Sequence, residues 1–411
     1  MSPFSIIEHG GVTSPQGFAA AGVAAGLKQS GKPDCALLVS QCPALASAAF
    51  TANRFQAAPV VHGRRLLAEN RRLRAVFVNS GNANACTGEV GLRDAQATAV
   101  AVAARLGLAV NQVLIGSTGR IGVPLPMDKI MRGIELAAAA LDRAGGAAAA
   151  AAIMTTDTRP KAAAATLAID GTTVTIGGMA KGAGMIAPKL VGPKNQATML
   201  AYVTTDARIS QGFLDDCLEQ ALDLSFNRIT VDGDTSTNDT FLVLANGLAA
   251  NRELDANHPQ ANAFIAAFNW LVGHLAREMV LDGEGVTKFV ELRVYGAATD
   301  SEARACAEAI ANSALCKTAW FGGDPNWGRI LAAAGYSGAR LQSDRVNLDY
   351  QGLPVVRGGL DAGTPVSEQE RAVAARELKI ELDLGVGEGE FTVWTCDLSY
   401  EYVKINADYR T

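Results

Sequence analysis

The chain is poor in the residues that mark several chemistries. Aromatics make up 6% of its 411 residues, and its four histidines are scattered. Scattered histidines give no His-based zinc site, so no metal is expected. The seven cysteines are Cys35, Cys42, Cys86, Cys217, Cys306, Cys316 and Cys396, and no two form a CxxC pair. An odd count at wide spacing reads as free thiols in a reducing compartment, not a disulfide framework. No block of like charge is present, and a net charge of −5 gives no reason to expect nucleic acid or an anionic membrane as partner. No apolar run is long enough to span a bilayer. The opening MSPFSIIEHGGVTSPQGF lacks a basic segment followed by a long apolar one, and lacks the Arg-rich look of a transit peptide. A cytoplasmic protein is expected.

What the chain has in quantity is alanine and glycine, with about half its residues apolar. Its length suggests two or three domains. Leu73–Gly81 reads as a buried strand, and LRDAQATAVAVAARLG as a helix stopped by Gly107. QVLIG is a short strand leading into a glycine-punctuated loop. The alanine run Ala147–Ala152 is helical by propensity. TTVTIGG, ATMLAYVTTDA and TFLVLANG read as strands, and NAFIAAFNWLVGHLAREMV as a strong helix. The texture changes after Gly285. TKFVELRVYGAAT, RVNLDYQG, ELKIELDLGVG and FTVWTCDLSYEYVKI read as strands, and DSEARACAEAIANSALCK as one helix. The expected division is a main domain over 1–286 and a smaller α+β domain over 287–411.

Thr198 stands at a loop-to-strand junction, directly after the small Ala197 and behind a loop with two prolines. A strand threonine is ordinarily a packing residue. If the Ala197–Thr198 bond opens, however, Thr198 carries both a hydroxyl and a free α-amine. That amine has an ordinary pKa of about 7.7–8.0 and can serve as base to the hydroxyl beside it. Acyl transfer also needs donors for an oxyanion. GSTGRIG supplies a hydroxyl at Thr118 and a backbone N–H at Gly119, although on spacing alone a plain glycine turn is the stronger reading. Lys181, in KGAGMIA, suits a substrate carboxylate, and Pro188 rules out the helix a dinucleotide fingerprint would need there. Asp232, Asp234 and Asp239 fail calcium-loop spacing and read as a self-bonded polar loop. Glu284, between two glycines, could meet an amino group or simply form a capping turn. FGGDPNWGRI reads as a binding or interface loop.

These segments together resemble the ornithine acetyltransferase family, also called bifunctional glutamate N-acetyltransferase. The matching stretches include NSGNANACTG, STGRIGVPLPMDKI, IMTTDTRPK, GGMAKGAGMIAP, ATMLAYVTTDA, FNRITVDGDTSTNDT, DGEGVTKFVE, KTAWFGGDPNWGRILAAAGYSG and CDLSYEYVKINADYRT, in the family's order. The resemblance implies an α/β fold, an α-β-β-α sandwich like that of N-terminal-nucleophile enzymes. It implies self-cleavage between Ala197 and Thr198 into chains of residues 1–197 and 198–411, assembled as a heterotetramer. Thr198 would be the nucleophile, and Thr118 and Gly119 the oxyanion donors. Thr155 or Thr156, Lys181, Thr198, Glu284, Asn406 and Thr411 would contact substrate. The reaction implied moves acetyl from N2-acetylornithine to glutamate through an acetyl-threonine. Acetyl-CoA is a second donor in bifunctional members, and no cofactor is called for. KLVGPKNQ makes the link before Ala197 longer than is usual in the family, and Arg120 replaces a residue that is usually apolar. Cleavage and transfer are expected to survive both. The competing readings are an N-terminal-nucleophile amidohydrolase or aminopeptidase, in which water takes the acyl group, and a non-catalytic binding protein.

Overall fold

The structure is a computed structural model that describes residues 3–187 and 199–408. The chain forms two compact units. The first draws on Met1–Asn227 and Thr235–Met279, the second on Arg228–Asp234 and Val280–Arg410.

The first unit contains β1 (Ser5–Ile7), β2 (Phe18–Val23), β3 (Cys35–Phe50), α1 (Ala58–Glu69), β4 (Arg72–Asn82), α2 (Gly88–Leu106), β5 (Val113–Arg120), α3 (Met127–Ala139), α4 (Gly146–Ala152), β6 (Lys161–Ile169), β7 (Thr172–Lys181), β8 (Leu200–Thr205), α5 (Gln211–Leu224), β9 (Thr240–Ala245) and most of α6 (Ala261–Leu281). The strands run in the order β1-β6-β7-β8-β9-β3-β4-β5, with β2 also paired to β3. The long β3 joins the two halves. Its start pairs with β4, its last six residues pair with β9, and the register breaks between Val39 and Ala44. Pro43 lies at that break and has no N–H to give a ladder.

Side-chain alternation shows that the halves stack face to face. Leu242 and Leu244 of β9 join Met179 of β7 and Tyr202 of β8 in one buried cluster with Val76, Val78 and Leu114 of β4 and β5. Phe241, directly before Leu242, turns the other way and meets Phe226 at 5.4 Å. On the far face of β4 and β5, Phe77 and Ile115 bury against Val102 of α2 and Ile130 and Ile134 of α3. On the far side of β7, Leu271 and Leu275 of α6 lie against Gly178. The layers are therefore helix, sheet, sheet, helix, as the resemblance implies. Gly116 of β5 marks the contact between the sheets, since a Cβ there would overlap Tyr202 Oη.

Local chemistry sets the ends. Glu89 opens α2, Arg105 sits in its last turn, and Gly107 closes it in the left-handed region at φ 64°. One boundary differs from expectation. The sequence puts a loop after QVLIG, but Gly116–Arg120 stay in β5, paired in parallel with Val78–Asn82. The glycines there permit close approach within a ladder rather than a turn.

The second unit contains β10 (Phe289–Ala297), α7 (Asp300–Ala311), α8 (Ala314–Gly322), α9 (Trp327–Tyr336), β11 (Asn347–Tyr350), β12 (Leu353–Arg357), β13 (Leu360–Asp361), α10 (Val366–Val373), β14 (Glu377–Asp383), β15 (Gly389–Cys396) and α11 (Tyr400–Asp408). Its sheet runs β13-β12-β11-β14-β10-β15 over a core that includes Leu292, Val294, Trp320, Ile380 and Val393. Two sequence expectations fail here. The single helix expected over 300–317 breaks at Asn312, and Ser313 caps a new helix by accepting from Cys316 N. The strand expected through FTVWTCDLSYEYVKI stops at Cys396. Asp397 turns to accept Thr287 N and Lys288 N, each at 2.9 Å, and Ser399 Oγ accepts Tyr402 N at the start of α11. FGGDPNWGRI proves to be the end of α8, a short turn and the start of α9.

Candidate active site

The chemistry collects at strand ends in the first unit. The register between β4 and β5 shifts at their ends, where Asn82 faces both Thr118 and Arg120. Bulges of this kind re-aim backbone beside functional sites. Gly119, between them, has φ 128°, and a Cβ there would collide with the backbone of Gly81. Only glycine fits. A buried amide network fixes the feature. Asn79 Oδ1 accepts Ser117 Oγ at 2.6 Å, and Asn79 Nδ2 donates to Asn82 O at 2.8 Å. Asn82 Nδ2 donates to Val123 O and Pro124 O, and Asn238 Nδ2 to Ala83 O and Ser117 O. Buried polar groups this fully paired hold one geometry.

Thr118 is buried, and its Oγ1 accepts Lys181 Nζ at 3.2 Å. Lys181 ends β7 and pairs with Leu200. With an ammonium on its acceptor side, the Thr118 hydroxyl keeps its own proton to donate elsewhere. Asp157 anchors the surroundings. Its Oδ1 accepts Lys161 Nζ at 2.6 Å and Gly182 N at 2.7 Å, and its Oδ2 accepts Thr155 N at 3.0 Å. Burial pushes this carboxyl up, but Lys181, Lys161 and the bond from Gly182 outweigh it and bring it to about 2. The Asp157 carboxylate thus ties the Thr155–Thr156 turn to the end of β7.

Asp239 lies just before β9. It is 3% exposed, and its Oδ2 has no hydrogen-bond partner among the described residues. Burial pushes its carboxyl well above the ordinary range, against weaker pulls from Ser236 and Lys181. The next residue, Thr240, donates its N–H to Met199 O at 2.6 Å, so the start of β8 is held against the start of β9.

In the second unit, Glu284 is buried and its Oε2 accepts Asn406 Nδ2 at 2.7 Å. Gly285, at φ 67°, makes the turn, and its carbonyl accepts Ser399 Oγ at 2.6 Å. The structure thus brings Thr118, Gly119 and Lys181 together, with Thr155 joined through Asp157, and separately brings Glu284 to Asn406. Ala197, Thr198, Thr411 and the long link Lys189–Gln196 lie outside the described residues. The loop of Asp232 and Asp234 is self-bonded as expected, Asp234 N donating to Asp232 Oδ1. Among the described residues no three His, Cys, Asp or Glu side chains gather as a metal site, and no helix is long and apolar enough to cross a membrane.

Sequence reasoning missed Asp157, although it sits inside the quoted TTDT, and missed Asn238. Asp157 was legible in principle: an acid in a turn followed by a lysine four residues on, at the start of a strand. Asn238 had no signal, because its partners are more than a hundred residues away.

The stacked sheets flanked by helices place this protein among mixed α/β sandwiches. The model of the ArgJ family matches residues 19–411. The arginine biosynthesis bifunctional protein ArgJ of Symbiobacterium thermophilum is 53% identical over 410 residues, covering 98% of this chain and 99% of that protein. The protein of the same name from Geobacillus kaustophilus is 47% identical, covering 98% and 97%. Among solved structures, arginine biosynthesis bifunctional protein ArgJ from Bacillus halodurans is 42% identical with a TM-score of 0.49, covering 51% of this chain and 98% of that one. Ornithine acetyltransferase complexed with ornithine, from Mycobacterium tuberculosis, is 47% identical with a TM-score of 0.43, covering 46% and 100%. The chain belongs to the ArgJ family.

Proposed function

We propose that the protein is an ornithine acetyltransferase of arginine biosynthesis that moves acetyl from N2-acetylornithine to glutamate, with acetyl-CoA as a second donor. The observation that carries this is the 53% identity to a curated ArgJ protein across 98% of the chain. In this reading the chain cuts itself between Ala197 and Thr198. The new α-amine of Thr198 takes the proton from its own hydroxyl as Oγ attacks the acetyl carbonyl. The Thr118 hydroxyl and Gly119 N–H donate to the oxyanion. Collapse breaks the C–N bond, the proton passes to the leaving amine of ornithine, and acetyl stays on Thr198 as an ester. The amine of glutamate then attacks the ester, N-acetylglutamate leaves and the Thr198 hydroxyl is restored. Lys181 meets the substrate carboxylate, Glu284 an ammonium, and Thr155 or Thr156, Asn406 and Thr411 supply hydrogen bonds. No cofactor is required, and the enzyme works in the cytoplasm as two copies of each chain.

The test is Thr198→Ala. Both chain cleavage and acetyl transfer from N2-acetylornithine are expected to vanish, read by mass spectrometry and by ornithine release. Glutamate-dependent turnover in the wild type separates transfer from hydrolysis. Release of acetate at the same rate without glutamate would make the protein a hydrolase.

A further inference from the structure

Lys28 is held over the candidate site by a loop with its own anchor. Asp34 is fully buried, and its carboxylate accepts four successive backbone N–H groups: Ala25 at 2.7 Å, Gly26 at 3.0 Å, Leu27 at 2.7 Å and Lys28 at 3.1 Å. A carboxylate so ringed by donors locks the loop. The loop is in turn fixed to the strand pair described above, since Asp34 O accepts Ser80 N at 2.8 Å. Ser80 pairs with Thr118, and Gly81 with Gly119. The stem of Lys28 lies on that pair, its Cγ 3.4 Å from where a Gly81 Cβ would stand.

The ammonium is under-used where it sits. Lys28 Nζ donates to Pro33 O at 2.6 Å, and its other two N–H groups have no partner among the described residues. The charges that face it are Asp34 and Lys32 from its own loop, and Asp157 and Lys181 from opposing elements. Asp34 and Asp157 are both committed to backbone donors, and Asp157 also to Lys161. A half-buried cation with spare donors gains from an added anion and costs stability without one. Burial, first among the causes, lowers its ammonium to about 8, and Lys181 and Lys32 add to that fall while Asp34 and Asp157 oppose it.

We propose that Lys28 is a second cation of the substrate pocket, which holds the α-carboxylate of the acylated amino acid and so selects substrates that carry one. The proposal rests on the acetyl-transfer reading. With Lys181 bonded to the Thr118 hydroxyl, the pocket offers two ammonium groups, enough to meet both oxygens of one carboxylate as point charges.

The experiment compares N2-acetylornithine with N-acetylputrescine, the same amide without its carboxylate, on Lys28→Met, Lys28→Arg and wild type. Losing one charge-assisted bond predicts that Lys28→Met raises KM for N2-acetylornithine about tenfold and leaves kcat within about threefold. N-acetylputrescine is expected to be unaffected. In the wild type, kcat/KM for N2-acetylornithine falls as pH rises through about 8 and the ammonium loses its proton. That limb is absent with N-acetylputrescine and moves upward in Lys28→Arg. A purely structural lysine would depress both substrates together and leave the limb in place, and either result overturns the proposal while sparing the function. A wild type inactive on N2-acetylornithine overturns both. Should Lys28→Met fail to fold, the wild-type pH profiles and Lys28→Arg still decide.

Discussion

Asp157 shows at the residue scale how one carboxylate can organise a site. It accepts from Lys161, Gly182 and Thr155, and both Asp157 and Lys161 are completely buried. Removing one partner of such a pair leaves the other charge uncompensated, so Asp157→Asn is expected to destabilise the protein by about 3–5 kcal/mol. Chemical denaturation with intact m-value measures it. The same pair sets a pH dependence. The folded carboxyl lies near 2, below its ordinary 3.8, so it stabilises the fold above pH 3.8. That contribution is lost as pH falls from about 4 to about 2, and the Asn variant lacks this acid limb.

The strand ends carry the argument at the element scale. The β5 end combines a register shift, a glycine at φ 128° and a net of four asparagine and serine side chains that fix it. Gly119→Ala keeps the N–H but forces it out of place against Gly81. With Gly119 as a proposed oxyanion donor, its displacement predicts a fall in kcat of about 10²–10³-fold with little change in KM, read by steady-state kinetics. Most helices and central strands were legible in the sequence, because Phe264, Phe268, Leu271 and Leu275 repeat at helical spacing and the alternation in TFLVLA is that of a strand. The strand character of Gly116–Arg120 was not. Glycine and serine signal a turn locally, and only pairing with Val78–Asn82 overrides that signal. The β15–α11 boundary failed likewise, because the aromatic and β-branched residues of YEYVKI favour a strand while Asp397 and Ser399 end it. At the candidate site, the family resemblance singled out Thr118, Gly119 and Lys181, and the structure groups these three. Asp157 was legible only in principle, from the lysine four residues on. Asn238 acts through partners more than a hundred residues away, and Lys28 lies against Gly81, contacts that no local pattern exposes.

Sheet order has a consequence for the whole molecule. In β7-β8-β9-β3, the two middle strands follow the proposed cut, and the flanking two precede it. Six register pairs join β7 to β8, and six join β9 to β3. A cut at Ala197–Thr198 therefore leaves the second chain threaded through the centre of the first chain's sheet. Each product alone would expose long unpaired edges. The two chains are expected to co-purify without denaturant and to unfold in one transition. Separation on a sizing column in plain buffer would contradict this.

The central claim is that Thr198 becomes a chain terminus and carries the acetyl group. Intact-protein mass spectrometry after incubation with N2-acetylornithine tests it most directly. The account predicts two chains, the second beginning at Thr198, with one acetyl on that chain that disappears on adding glutamate. A fully active preparation that shows one unbroken chain, or an acetyl on any other residue, would contradict it.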